Sequence, residues 1–202
     1  MKKTIFISIF TFFLCVGSMS AQFGVNIGYG LNSFNYSDFG GKQSMNGFSA
    51  GISYDLHIQN EWYIFTALNY SQFGRTNTEI DRIYHAKYVY SHGFLEVPVR
   101  AAFVMEVLDD LKLSVAVGPK LSYAVFGTKT AKDAAGETED KIYGKNTASP
   151  FGVFAGFNMG AQYTHLRVNI GYDWGILNQY SGIDNNGIAK RSGLLVALSY
   201  IF

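Results

Sequence analysis

Apolar and polar residues alternate along most of this chain, most clearly in residues 94–126. Between positions 95 and 107 the odd residues are Leu95, Val97, Val99, Ala101, Phe103, Met105 and Val107, whereas the even ones include Glu96, Pro98, Arg100 and Glu106. After Asp109-Asp110 the alternation resumes, with Leu111, Leu113, Val115, Val117, Pro119, Leu121, Tyr123 and Val125 on one face. The opposite face carries Lys112, Ser114, Ala116, Gly118, Lys120, Ser122, Ala124 and Phe126. A period of two over this length predicts two half-buried strands joined by a tight turn.

The same pattern recurs in segments 23–33, 47–58, 61–74, 151–163, 166–176 and 193–202, giving eight predicted strands. Segment 61–74 is the least regular, because Tyr63 and Phe65 put aromatics on the face otherwise held by Ala67, Asn69 and Ser71. Connections after the second, fourth and sixth strands are tight. Those after the first, third, fifth and seventh are long and polar, the third spanning 75–91, the fifth 128–149 and the seventh 181–191. An even number of strands with short turns on one rim and long loops on the other is the layout of a bacterial outer-membrane barrel.

A soluble eight-stranded barrel would need the reverse arrangement, an apolar interior and a wettable exterior. Here the small and polar face includes Gly24, Gly28, Gly30, Gly51, Gly152, Gly156, Gly160 and Gly171, which cannot line an apolar cavity. The Phe, Leu, Tyr and Trp of the other face hold too much volume for a closed interior. That face therefore points outward, and only lipid solvates so continuous an apolar belt. Trp62, Tyr163, Tyr200 and Phe202 lie near the short-turn ends and Tyr70, Tyr123 and Trp174 near the long-loop ends, forming two aromatic girdles. The predicted fold is all-β: a closed, eight-stranded, antiparallel up-and-down transmembrane β-barrel with short periplasmic turns and longer extracellular loops.

Composition agrees: 16% of the 202 residues are aromatic, 22 are glycine and only 15% are charged, against roughly 25% in soluble proteins. Residues 1–21 read as a signal peptide, with basic Lys2 and Lys3, an apolar run through Val16, and cleavage after Ser20 or Ala21. Residues 22–202 are then the barrel domain, exported to the outer membrane of a Gram-negative bacterium. The single cysteine, Cys15, lies in the leader, so the mature chain has neither disulfide nor thiolate metal site. Removing Lys2 and Lys3 from the 16 basic residues leaves 14 against 15 acidic ones, a net charge of −1, and no nucleic-acid partner is expected.

Four motifs carry a family likeness: Leu95-Glu96-Val97-Pro98, Gly118-Pro119-Lys120-Leu121-Ser122, Tyr172-Asp173-Trp174-Gly175 and the terminal Ser199-Tyr200-Ile201-Phe202. On these the mature chain resembles the PorT-like outer-membrane β-barrel domain proteins of Bacteroidetes. The resemblance implies architecture rather than activity, since most members lack an assigned function. The terminal aromatic Phe202 resembles the signal read by the outer-membrane barrel assembly machinery.

The inward face places Asp55, Glu96, Arg100, Lys120, Arg167 and Asp173 in the lumen, where opposite charges must satisfy one another. Glu96 and Lys120 fall at similar height on adjacent strands and are expected to pair. An interior this narrow is filled by its own side chains, so a structural plug is favoured over a pore. Pro98 is expected to create a bulge or a missing ladder hydrogen bond that re-aims Glu96 or Arg100.

Enzyme signatures are weak. No serine stands in a nucleophile elbow, no histidine pair has zinc-helix spacing, and Asp184-Asn185-Asn186-Gly187 lacks the far ligand of a calcium loop. A membrane-embedded hydrolase would have to assemble His92 with Ser91 and a loop carboxylate such as Asp81. No enzymatic activity and no cofactor are expected. The candidate binding residues are Tyr84, Tyr88 and Tyr90 in one long loop and Lys132 and Lys141 in the next. The expected function is that of a plugged barrel in the lipid bilayer, structural or binding an extracellular or envelope protein through these loops, with a narrow channel as the alternative.

Overall fold

Alternation of apolar and small residues drives every segment into extended backbone, and the resulting strands close on themselves. The computed structural model describes residues 21–36, 42–80, 85–133, 136–143, 148–179 and 189–202. The leader segment, Asp81, Tyr84 and the turn at 184–187 lie outside the described residues. The strands are β1 (Ala21–Tyr36), β2 (Lys42–Gln59), β3 (Trp62–Ile80), β4 (His85–Leu108), β5 (Leu111–Asp133), β6 (Gly136–Lys141), β7 (Phe151–Tyr163), β8 (Leu166–Gly175) and β9 (Ala189–Ile201). Each is antiparallel to its neighbours, β4 pairs with β5, and β9 returns to β1. Eight strands thus form a closed ring, and β6 is a short addition to the upper part of β5.

The outward face is the apolar one. Phe23, Ile27, Phe48, Ile52, Leu68, Met105, Val117, Val168 and Leu198 are all exposed, and the girdle residues range from 37% (Tyr70) to 70% (Phe202) accessible. Pairing links Tyr70 to Leu95, Leu95 to Tyr123 and Tyr123 to Phe151, an unbroken row toward one rim. Trp62 opposite Phe103, and Tyr163, Leu166 and Tyr200 in register, mark the other rim. That lower rim turns tightly at Asn60 and Thr164, both in the left-handed region with φ of 54° and 49°.

Two features depart from the expected pattern, and at a third, Pro98, the gap in the ladder expected there is found without a bulge. First, the polar segments 75–91 and 128–149 are not simple loops: β3 and β4 stay paired from Arg75↔Tyr90 to Ile80↔His85, and β5 pairs with β4 and β6 up to Lys132 and Asp133. A membrane-crossing strand needs about 9–11 residues, and β4 has 24. Its upper end, residues 85–91, therefore stands above the belt, where neither face meets hydrocarbon and the hydrophobic alternation disappears while the backbone ladder continues. Second, the register of β4 against β5 shifts at Gly93/Phe94. Val125 is the extra residue, so Phe126 pairs with Gly93 and is exposed outside instead of following Ala124 inward.

Third, Pro98 carries no bulge. Its pairing with β3 lapses between Thr66↔Val99 and Asn69↔Glu96 without change of register, and Thr66 Oγ1 donates to the Pro98 carbonyl at 2.9 Å. A second lapse on β5, between Pro98↔Lys120 and Ala101↔Val117, spans Pro119. Each lapse sits where a proline has no N–H to give.

Candidate functional site

The inward faces of the strands bring the lumenal charges into one buried stack. At its centre Asp173 of β8 accepts from Arg100 Nη2 of β4 at 2.6 Å through Oδ1 and from Lys120 Nζ of β5 at 2.8 Å through Oδ2. Lys120 Nζ also lies 3.3 Å from Glu96 Oε1. Glu96 in turn accepts from Arg191 Nη2 at 2.7 Å and from Ser71 Oγ at 2.8 Å. Nearer the short turns, Arg167 Nη2 of β8 forms an ion pair with Asp55 Oδ2 of β2 at 2.6 Å and the guanidinium donates to Gln162 Oε1 at 2.7 and 2.9 Å, while it lies over Phe65. All six lumenal residues expected from sequence are buried here, in two groups rather than one.

Arg191 was not among them. The Gly/Asn-rich stretch before it reads as a loop ending at 191, yet β9 begins at Ala189 and Arg191 is 0% exposed. Its guanidinium is sandwiched between Phe94 at 3.9 Å and Phe154 at 4.6 Å, and Nη2 also donates to Ser122 Oγ at 2.8 Å. A signal was present. Extending the inward parity of Ser199, Ala197, Leu195 and Gly193 two residues further reaches Arg191.

Above the charges sits an apolar cap of Phe34, Met45, Phe73, Phe94 and Ala124, against which Tyr143 packs. His92, above the lipid-facing belt, shares its ring nitrogen Nδ1 with Tyr143 Oη at 2.8 Å and stacks on Phe94. Burial first, and the Arg191 charge second, lower its pKa to about 4, so the ring is neutral at pH 7. Below the central charges lies a cavity of about 100 Å³ bordered by Asp55, Asn69, Arg100, Lys120, Arg167 and Asp173 among others. The lumen is therefore cap, charge stack, wet cavity and second charge group in series. That arrangement obstructs passage rather than lining it.

The rim candidates separate onto two faces. Lys132 pairs with Lys87 and Glu137, and Lys141 with Thr128, so these residues look outward; Lys132 bonds Glu137 at 3.0 Å. Tyr88 and Tyr90 belong to the opposite, lumen-side face with Lys129, whose ammonium lies 4.8 Å over the Tyr88 ring. Both tyrosines are half-buried on a strand, not exposed on a loop. Ser91 and His92, as consecutive strand residues, point to opposite sides of the sheet. A nucleophile–base pair cannot form between them in this backbone.

Residues 18–180 match the family model described as outer membrane protein beta-barrel domain. Outer membrane protein P5 of Haemophilus influenzae is 32% identical over 152 residues, covering 74% of this chain and 37% of P5. The chain thus spans little more than a third of the curated relatives it matches. Among solved structures, the attachment invasion locus protein Ail of Yersinia pestis, in complex with the heparin analogue sucrose octasulfate, is 14% identical over 91% of this chain and 100% of Ail, with a TM-score of 0.47. Neisserial surface protein A is 15% identical over 91% of this chain and 99% of that one, with a TM-score of 0.47.

Proposed function

The chain belongs to the outer membrane protein beta-barrel domain family, and from that membership we propose a plugged outer-membrane barrel that acts by presenting a strand-built rim to a protein partner. The observation that carries this reading is the pairing of β3, β4, β5 and β6 well past the apolar belt. This sheet offers a folded surface beyond the membrane, and the apolar cap obstructs the lumen below it. The sheet's outward face mixes exposed Lys87, Lys132 and Lys141 with exposed Glu137 and Glu139, charges of both signs that meet water rather than lipid and can steer a partner of complementary charge.

The finer parts of the reading rest on sequence. They are export by residues 1–21, delivery to the barrel assembly machinery through the strand ending in Phe202, PorT-like kinship, and the absence of enzymatic activity. A narrow channel is the second reading, supported by the cavity between the two charge groups.

Deleting 132–145 is a poor test of the rim, because it would remove Tyr143 from the cap. Lys132→Ala/Lys141→Ala avoids this. Cross-linked complexes pulled down from intact outer membranes should lose their partner with this variant while the barrel still inserts. An unchanged set of cross-linked proteins would rule out the outward face as the binding surface.

A further inference from the structure

Among the described residues, the charges buried in the lumen do not balance. Among the described residues the buried cations are Arg100, Lys120, Arg167 and Arg191, and the buried carboxylates are Asp55, Glu96 and Asp173, four against three. The lower group is neutral by itself, because Arg167 and Asp55 are paired. The surplus belongs to the central stack. There Arg191 takes Glu96 at 2.7 Å, which leaves Arg100 and Lys120 to share the single charge of Asp173, with Lys120 only 3.3 Å from Glu96 as well.

An uncompensated charge in a low-dielectric interior is expensive, and it is relieved by a counter-ion or by loss of a proton. Arginine does not lose its proton in proteins. Two further observations favour the counter-ion. Arg100 is more than nine-tenths buried, yet its Nε has no hydrogen-bond partner. Arg100 and Lys120 also both border the cavity of about 100 Å³, which has room for roughly half a dozen waters.

We infer that the lumenal cavity binds one small monovalent anion, of chloride or formate size, against Arg100 and Lys120. One negative charge brings the buried charges of the described residues to neutrality, whereas a divalent anion would overshoot it. Asp55, Glu96 and Asp173 also border the cavity and repel an anion toward the cations, and the volume of about 100 Å³ excludes bulky anions. The ion serves as part of the plug, completing the charge stack beneath the cap.

The test is thermal unfolding of the detergent-purified full chain, followed by the heat-dependent gel shift of folded barrels. Sodium chloride, sodium formate and sodium gluconate are titrated at constant ionic strength. Chloride and formate should raise the unfolding temperature along a saturable curve, and gluconate, too large for the cavity, should not. Lys120→Met makes the lumen three against three and should flatten the chloride curve. Arg100→Met removes the same charge from the other side of Asp173 and replaces the first variant if that one does not fold. Equal response to gluconate, no response in the wild-type barrel, or an unaltered chloride curve in the folded variant would each overturn the site. A flat wild-type curve would mean that the chain itself balances the stack.

Discussion

At the scale of single residues, the cation excess makes acids and bases in the lumen unequal. Removing one partner of a buried pair ordinarily costs about 3–5 kcal/mol, because it strands the other charge. Glu96→Gln should show that full cost: it leaves four buried cations against two carboxylates, and it turns one of the two oxygens that accept from Arg191, Lys120 and Ser71 into a donor amide nitrogen. Lys120→Met should cost far less, since Asp173 keeps Arg100 and Glu96 keeps Arg191. Urea unfolding of both variants in lipid vesicles checks the ordering, and equal losses would contradict it. Most of this stack was legible in the sequence, because inward parity alone selects Glu96, Arg100, Lys120 and Asp173. Arg191 was obscured by its neighbours. The glycines and asparagines of 182–187 signal a turn, and turn chemistry was carried three residues too far, through Ala189, Lys190 and Arg191 of β9.

At the scale of elements, the sequence shows where lipid begins and ends better than where strands do. Hydrophobic alternation reports a difference between the two faces of a sheet, and within the belt one face meets hydrocarbon and the other the lumen. Above the belt neither face meets hydrocarbon, so segments 75–80 and 85–91 carry no such contrast in sequence although their backbones are paired. The same blindness hid β6, in which all six residues are exposed. The bulge that turns Phe126 outward was hidden for another reason, since a single inserted residue leaves each flanking run of alternation intact. Backbone pairing has its own signature. Amides of Tyr88 and Tyr90, and of their partners Ala131 and Lys129, should exchange with deuterium far more slowly than those of an open loop, whose exchange is limited only by chemistry. Hydrogen exchange on the intact barrel in nanodiscs resolves this. Loop-like rates throughout 85–91 and 128–132 would return these segments to the reading from sequence.

At the scale of the whole molecule, closure is the property that excludes and permits function. Alternating short and long connections made the eight-membered ring legible. What they could not show is how the lumen is blocked, because that depends on side chains from distant strands meeting: Phe34 of β1, Met45 of β2, Phe73 of β3, Phe94 of β4 and Ala124 of β5. An ion crossing the barrel would meet this cap without a hydration shell, then a stack in which every carboxylate is already held by a cation. Opening it requires separating Arg191 from Glu96 as well as from the two rings that sandwich it, so thermal fluctuation alone should rarely succeed. Planar bilayers containing the purified wild-type barrel are accordingly expected to show no steady current. Phe73→Ala/Phe94→Ala removes two rings of the cap and one face of the Arg191 sandwich while leaving every ion pair in place. This variant should add brief, flickering openings, with the charge stack still preventing a sustained open level. A constant ohmic conductance in the wild-type protein would mean that the lumen conducts past its own plug, and the channel reading would then displace the rim.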